Sequence, residues 1–146
     1  MTVDVELVTR KLTLIAGDLD ALADLAARPR DAFLASRFDQ AVAERILERT
    51  IGRMIDVNYH LITERGLPPP SDCFTSFLKL AELGVLDHEF ARRLAPSAGL
   101  RNRIVHEYDE IDPAKVFDAL GSARSDIIAY LRAIEAHLAR PQPEHG

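Results

Sequence analysis

One cysteine, Cys73, stands in a chain of 146 residues. A single thiol excludes an intrachain disulfide and a cysteine-based zinc site, and it fits a reducing compartment. Lysine is nearly as scarce: Lys11, Lys79 and Lys115 stand against 15 arginines. No run of 18 apolar residues occurs, so no membrane-spanning helix and no membrane partner are expected. The opening residues Met1-Thr2-Val3-Asp4-Val5-Glu6 put acids where a secretory leader has basic and then apolar residues. A cytoplasmic protein is the expectation. No alternating strand pattern bounded by turn signals appears, and neither does an internal repeat or a low-complexity block. Glu-x-x-His pairs, which build di-metal carboxylate bundles, are missing too. No metal and no other cofactor are expected.

What is present is a globular balance of 47% hydrophobic and 28% charged residues. The length suits one domain that buries roughly 70% of its unfolded surface. A net charge of −5 argues against a nonspecific nucleic-acid coat but leaves room for a local RNA site. The arginine bias suits such a site, because the guanidinium fork holds phosphate with two hydrogen bonds.

The apolar period is helical nearly throughout. Val5, Val8, Leu12, Ile15, Leu19 and Leu22 trace one face of a long first helix that Arg28-Pro29 ends. A helical turn is expected over 31–36. Asp39 is the expected cap of a second long helix running to about Arg65, with Val42, Ile46, Thr50, Met54, Val57 and Leu61 inside and Gly66 as the stop. After Pro68-Pro69-Pro70, Ser71 is expected to cap a short helix with Phe74, Phe77, Leu78 and Leu80 or Ala81 inside, ended by Gly84. Asp87 caps the next helix, which Pro96 kinks or restarts and which continues to about Tyr108. Asp112-Pro113 opens the last helix, carrying Val116, Leu120, Ile127, Tyr130, Leu131, Ile134 and Leu138. The fold expected is an all-α, up-and-down bundle of four main helices plus one short one.

The informative stretch is Arg101-Asn102-Arg103-Ile104-Val105-His106-Glu107-Tyr108. From Ala91 to His106 there is no acid, while Arg92, Arg93, Arg101 and Arg103 are basic; Glu107, Asp109, Glu110 and Asp112 follow at once. Histidine exchanges protons near neutral pH, and arginine stabilises phosphoryl charge. Together they are a minimal kit for cutting RNA through its own 2′-hydroxyl without a metal. Asn102 and His106 share a helix face, but Arg101 and His106 lie about 140° apart around a regular helix. Two copies facing across a two-fold axis would build one cleft from both; distortion at the helix end is the other way. A solvated arginine face, a histidine at the helix dipole and a packing tyrosine account for the same residues without chemistry.

Arg49, Arg53, Asp56 and His60 read as a charge ladder along the second helix, or else as a wall of an RNA groove or a partner contact. Asp109, Glu110 and Asp112 read as a solvated acidic loop rather than an ion site. Cys73, at a helix start, reads as structural.

The motif in its context resembles HEPN-domain toxins of the HepT type. Arginine followed by asparagine, then histidine five residues after the arginine and tyrosine two further on, is the core of the likeness. The segments Tyr59–Pro68, Phe77–Leu86 and Ala98–Asp112 resemble that family's second helix and loop, its short helix and its motif segment. The resemblance covers residues 1–139 as one domain and leaves 140–146 as a frayed tail. It implies a homodimeric, metal-independent ribonuclease toxin, paired with a minimal nucleotidyltransferase antitoxin. It also implies catalytic roles for Arg101 and His106, an orienting role for Asn102, and transfer of AMP to Tyr108 as the silencing step. Arg92, Arg93 and Arg103 are candidate RNA contacts. Pro96 departs from the unbroken helix of the family pattern and bears on the pose of Arg92 and Arg93. Two other readings are a non-catalytic HEPN module binding nucleotide or a partner, and a plain helical interaction protein. The intact Arg–His pair favours the enzyme, since a binding module needs neither.

Overall fold

Helix punctuation organises the chain. The computed structural model describes residues 3–106 and 110–141, and all regular structure in them is helical. The segments are α1 (Val5–Ala16), α2 (Leu19–Ala26), α3 (Arg30–Leu34), α4 (Arg37–Glu64), α5 (Cys73–Glu82), α6 (His88–Leu94), α7 (Pro96–His106) and α8 (Pro113–Ala139). The all-α expectation holds, but among the described residues there are eight segments in place of four main helices and a short one. Two breaks account for much of the difference. The first long helix stops at Gly17 because Asp18 turns into the core to meet side chains of α4. Pro96 lacks an N–H and crowds the turn before it, so it opens α7 instead of continuing α6.

Side-chain caps fix the helix starts. Asp87 and Asp112 cap α6 and α8 as expected, accepting from Phe90 N–H (3.3 Å) and Ala114 N–H (2.9 Å). Two other caps differ from expectation by position. Ser36, not Asp39, caps α4: its Oγ accepts the Asp39 N–H at 3.1 Å, which puts Asp39 inside the first turn. Asp72, not Ser71, caps α5 and accepts the Thr75 N–H at 2.7 Å. The Thr75 side chain and then its backbone N–H, both hydrogen-bonded to Asp72, hold the carboxyl below its ordinary pKa. In both cases the cap is the residue whose oxygen reaches the third helical N–H. Gly84 closes α5 with φ +78°, and Val85 N–H donates back to the Leu80 carbonyl at 2.9 Å.

Helix α4 is the axle, packed against α1, α2, α3, α5, α7 and α8. Its buried set is wider than one stripe, from Ala43 through Ile46, Leu47, Ile51, Met54, Ile55 and Leu61 to Ile62. Several expected core residues are less buried than expected: Leu19, Val42, Leu78 and Leu138 are half-buried, while Val5 and Phe74 are exposed. Phe74 lies about a quarter turn off the centre of the buried α5 face formed by Ser76, Phe77, Leu80 and Ala81. A polar strut crosses the core. The Tyr130 hydroxyl of α8 lies 2.6 Å from Asn58 Oδ1 and 3.0 Å from the Met54 carbonyl, and Asn58 Nδ2 donates to Ser76 Oγ at 3.0 Å. Burial pushes the Tyr130 phenol well up, which keeps it a donor. No described helix is long and apolar enough to cross a membrane.

Candidate functional site

Helix α7 carries the motif and has little else to do in the core. Only Ala98 and Ile104 of its residues are buried. They press it onto its neighbours and leave Asn102, Arg103 and His106 exposed, with Arg101 half-buried.

Arg101 is the placed residue. Its guanidinium lies over Gly52 of α4, so close that a Cβ there would stand 3.0 Å from Nε and 3.5 Å from Nη2. The Nε is buried and has no acceptor among the described residues. Among the described residues no carboxylate pairs with Arg101. Gly52 was missed by sequence reasoning. Its signal was available: glycine inside a long helix costs about 1 kcal/mol relative to alanine, so a close approach is the reason to look for.

The other motif residues are positioned by helix geometry. Arg101 faces α4 while His106 faces solvent, as the five-residue spacing requires. Asn102 at i−4 and Arg103 at i−3 are the neighbours of His106 on the surface. Arg92, Arg101, Arg103, Lys115 and His106 form no ion pair with any described residue. Arg92 and Arg93 belong to α6, across the Pro96 break. Arg93 is committed: it pairs with Asp126 of α8 at 3.1 Å and stacks over Phe90, 5.0 Å from the ring centroid. Arg93 and Arg103 line one groove of about 360 Å³ between α4, α7 and α8. Tyr108, Glu107 and Asp109 lie outside the described residues. Asp112 caps α8, and Glu110 lines a small cavity beside Arg103.

The second candidate set resolves differently. Arg49, Arg53, Asp56 and His60 do not form a ladder along α4. Arg49 and Arg53 both reach Asp18, which Thr50 also meets at 3.2 Å. The hydrogen bond to Asp18, and then its charge, raise the Arg49 pKa further. Asp56 pairs with Lys11 at 3.1 Å, and His60 Nε2 accepts the Asp4 N–H at 3.1 Å. These residues fasten the first two helices to α4. Cys73 is free and half-buried. Among the described residues, no group of three His, Cys, Asp or Glu side chains converges as an ion site.

The arrangement is chemically suited to an anion. A fixed guanidinium, an unpaired exposed arginine and an exposed imidazole lie on one short helix.

Comparison with known proteins agrees in fold and family. A family model described as ribonuclease HepT-like matches residues 15–134. The tRNA nuclease HepT of Aphanizomenon flos-aquae is 34% identical over 139 residues, covering 95% of each chain. Two solved structures share the fold. A toxin–antitoxin complex with AMP-PNP superposes with a TM-score of 0.81 at 21% identity, over 90% of this chain and 98% of that one. A tri-AMPylated HEPN toxin of Shewanella oneidensis in complex with an MNT antitoxin gives 0.79 at 22% identity, over 88% and 96%. The helical fold, the motif on α7 and the match across most of the chain show that this protein belongs to the ribonuclease HepT-like family, and its enzyme class is ribonuclease.

Proposed function

We propose that the chain is the toxin of a two-component toxin–antitoxin pair, a cytoplasmic endoribonuclease that works as a homodimer and without a metal. The observation that carries this reading is the pose of Arg101, held over Gly52 with no carboxylate among the described residues paired to it. Arg101 binds the scissile phosphate and stabilises its growing negative charge. His106 takes the proton of the 2′-hydroxyl or delivers one to the leaving 5′-oxygen. Asn102, one turn before His106, orients the site. Attack by the 2′-oxygen breaks the P–O5′ bond and leaves a 2′,3′-cyclic phosphate. Because Arg101 and His106 point to different sides of α7, two copies related by a two-fold axis complete the cleft.

The relatives' pairing with nucleotidyltransferase antitoxins supports a silencing step at Tyr108. Its phenolic oxygen accepts an AMP group from a nucleoside triphosphate, with release of pyrophosphate. The added negative charge then pairs with the motif arginines and blocks RNA.

The test uses purified chain, RNA and excess EDTA. Cleavage that survives the chelator and leaves cyclic phosphate ends is expected, with a folded His106→Ala variant inactive. A folded His106→Ala variant that still cuts RNA overturns the mechanism. Intact mass after co-expression with a cognate nucleotidyltransferase antitoxin tests Tyr108: an unmodified mass on a neutralised toxin means that silencing works by binding.

A further inference from the structure

The geometry points to a nucleotide subsite in the groove between α4, α7 and α8, beside the motif but separate from Arg101. This rests on the ribonuclease reading. The groove, about 360 Å³, is floored by apolar side chains such as Ile51, Leu100, Ala123 and Ile127, and Arg103 and Lys115 stand on its lining. Its size lies at the small end of ligand pockets, near 300 Å³, where one base and its sugar are a reasonable load. Arg103 and Lys115 come from different helices, α7 and α8, yet they recur together in the adjoining small cavity, which Glu110 and Asp112, the latter the cap of α8, also line. Neither cation forms an ion pair with a described residue, whereas Arg93 on the same groove is held by Asp126. Two uncommitted cations over an apolar floor suit a ligand with an anionic end and a flat apolar body.

Position selects RNA. Arg103 lies three residues before His106 and therefore shares its face of α7, while Arg101 lies on the far side. A strand whose scissile phosphate sits at His106 brings the adjacent phosphate over Arg103 and Lys115, with the attached base on the groove floor. The subsite thus holds the nucleotide next to the cut and sets which base is preferred there.

The probe is a single-stranded RNA oligonucleotide fully methylated at the 2′-oxygens, which keeps phosphates and bases but cannot be cut. A matching abasic oligonucleotide keeps only sugar and phosphate. Binding of each to the full chain is measured by fluorescence anisotropy over a salt series. Arg103→Ala and Lys115→Ala are each expected to weaken both probes about tenfold and to lower the salt slope by about one. Ala123→Leu, which fills the floor, is expected to weaken the base-bearing probe about tenfold and leave the abasic one unchanged. Ser122→Leu, at an exposed position lining the same groove, repeats that test if Ala123→Leu fails to fold. Arg124→Ala, exposed and off the groove lining, should change neither probe. Wild-type binding by Lys115→Ala and the floor variants overturns the subsite. So does loss of binding accompanied by dissociation to monomers in light scattering, which assigns the groove to a contact between copies. A wild type that binds the probe but cuts no unmodified RNA removes the ribonuclease reading and leaves the subsite standing.

Discussion

Two arginine pairs, each on a helix, end in opposite conditions. Arg49 and Arg53 of α4 converge on Asp18, whose side chain is 7% exposed, and every charge there has a partner. Arg101 and Arg103 of α7 have no carboxylate among the described residues, and one guanidinium nitrogen is buried without an acceptor. The first pair is committed to the fold, and the second is the pair proposed to bind RNA. Spacing alone does not separate them, because both read as exposed basic residues on amphipathic helices. The partner decides, and the partner of the first pair lies more than 30 positions away in the chain.

The comparison is sharpest when one member of each pair is removed. Arg101→Ala is expected to cut RNA cleavage by a hundredfold or more, in line with the loss of a charge-stabilising donor, about 2.7–4 kcal/mol. Its melting temperature should stay within about 4 °C of wild type. A parallel loss of activity and stability would make Arg101 a packing residue and collapse the distinction.

Asp18→Ala should do the reverse. Hydrogen bonds to charged groups contribute about 1.5–3 kcal/mol each. Arg49 is 41% exposed and rehydrates once freed, which trims the net cost to about 2 kcal/mol. Urea unfolding measures it, and cleavage per folded molecule should be unchanged. A stable but inactive Asp18→Ala would move that cluster into the site.

Gly52→Ala joins the two regions, since the glycine sits on α4 between Arg49 and Arg53 on one side and Arg101 on the other. The added methyl lands 3.0 Å from Arg101 Nε and displaces it by tenths of an ångström. A three- to tenfold loss of cleavage is expected. Stability should hardly move, because the helix-propensity gain of about 1 kcal/mol offsets the crowding. Wild-type activity would mean that Arg101 tolerates another seat.

A third basic cluster gives the smallest effect. Burial, then Arg65 and then Arg140, lower the His137 pKa from 6.5. The unfolded chain therefore binds this proton more tightly than the folded one. The associated stability is complete above about pH 6.5 and falls as pH drops from there through the folded pKa. Melting curves between pH 7.5 and 5.5 should show the decline, and His137→Gln should flatten it.

Much of the fold was legible because its signals are local. Asp87, Pro96, Asp112-Pro113 and the glycines Gly66 and Gly84 punctuate the chain where the structure does, since capping and backbone strain act within a few residues. Cap positions slipped by one to three residues at Ser36 and Asp72, where neighbouring serines and aspartates offer the same chemistry. The break at Gly17 was not legible. The stripe from Val8 through Leu22 continues across it, and only the pull of Arg49, Arg53 and Thr50 on Asp18 turns the chain.

The motif was equally a matter of sequence. Arg101, Asn102 and His106 are candidates named by the resemblance of their run to the HepT motif, within an acid-free stretch, and α7 presents them as helical geometry dictates. What the tertiary structure decided is which arginines are free. Charge is written in the sequence residue by residue, but neutralisation depends on distance in space, and the partners come from other helices. Packing brought Asp18 to Arg49, Asp126 to Arg93 and Gly52 beneath Arg101, and it left Arg103 and Lys115 on one groove without an ion pair to any described carboxylate, although Glu110 and Asp112 line the adjoining cavity.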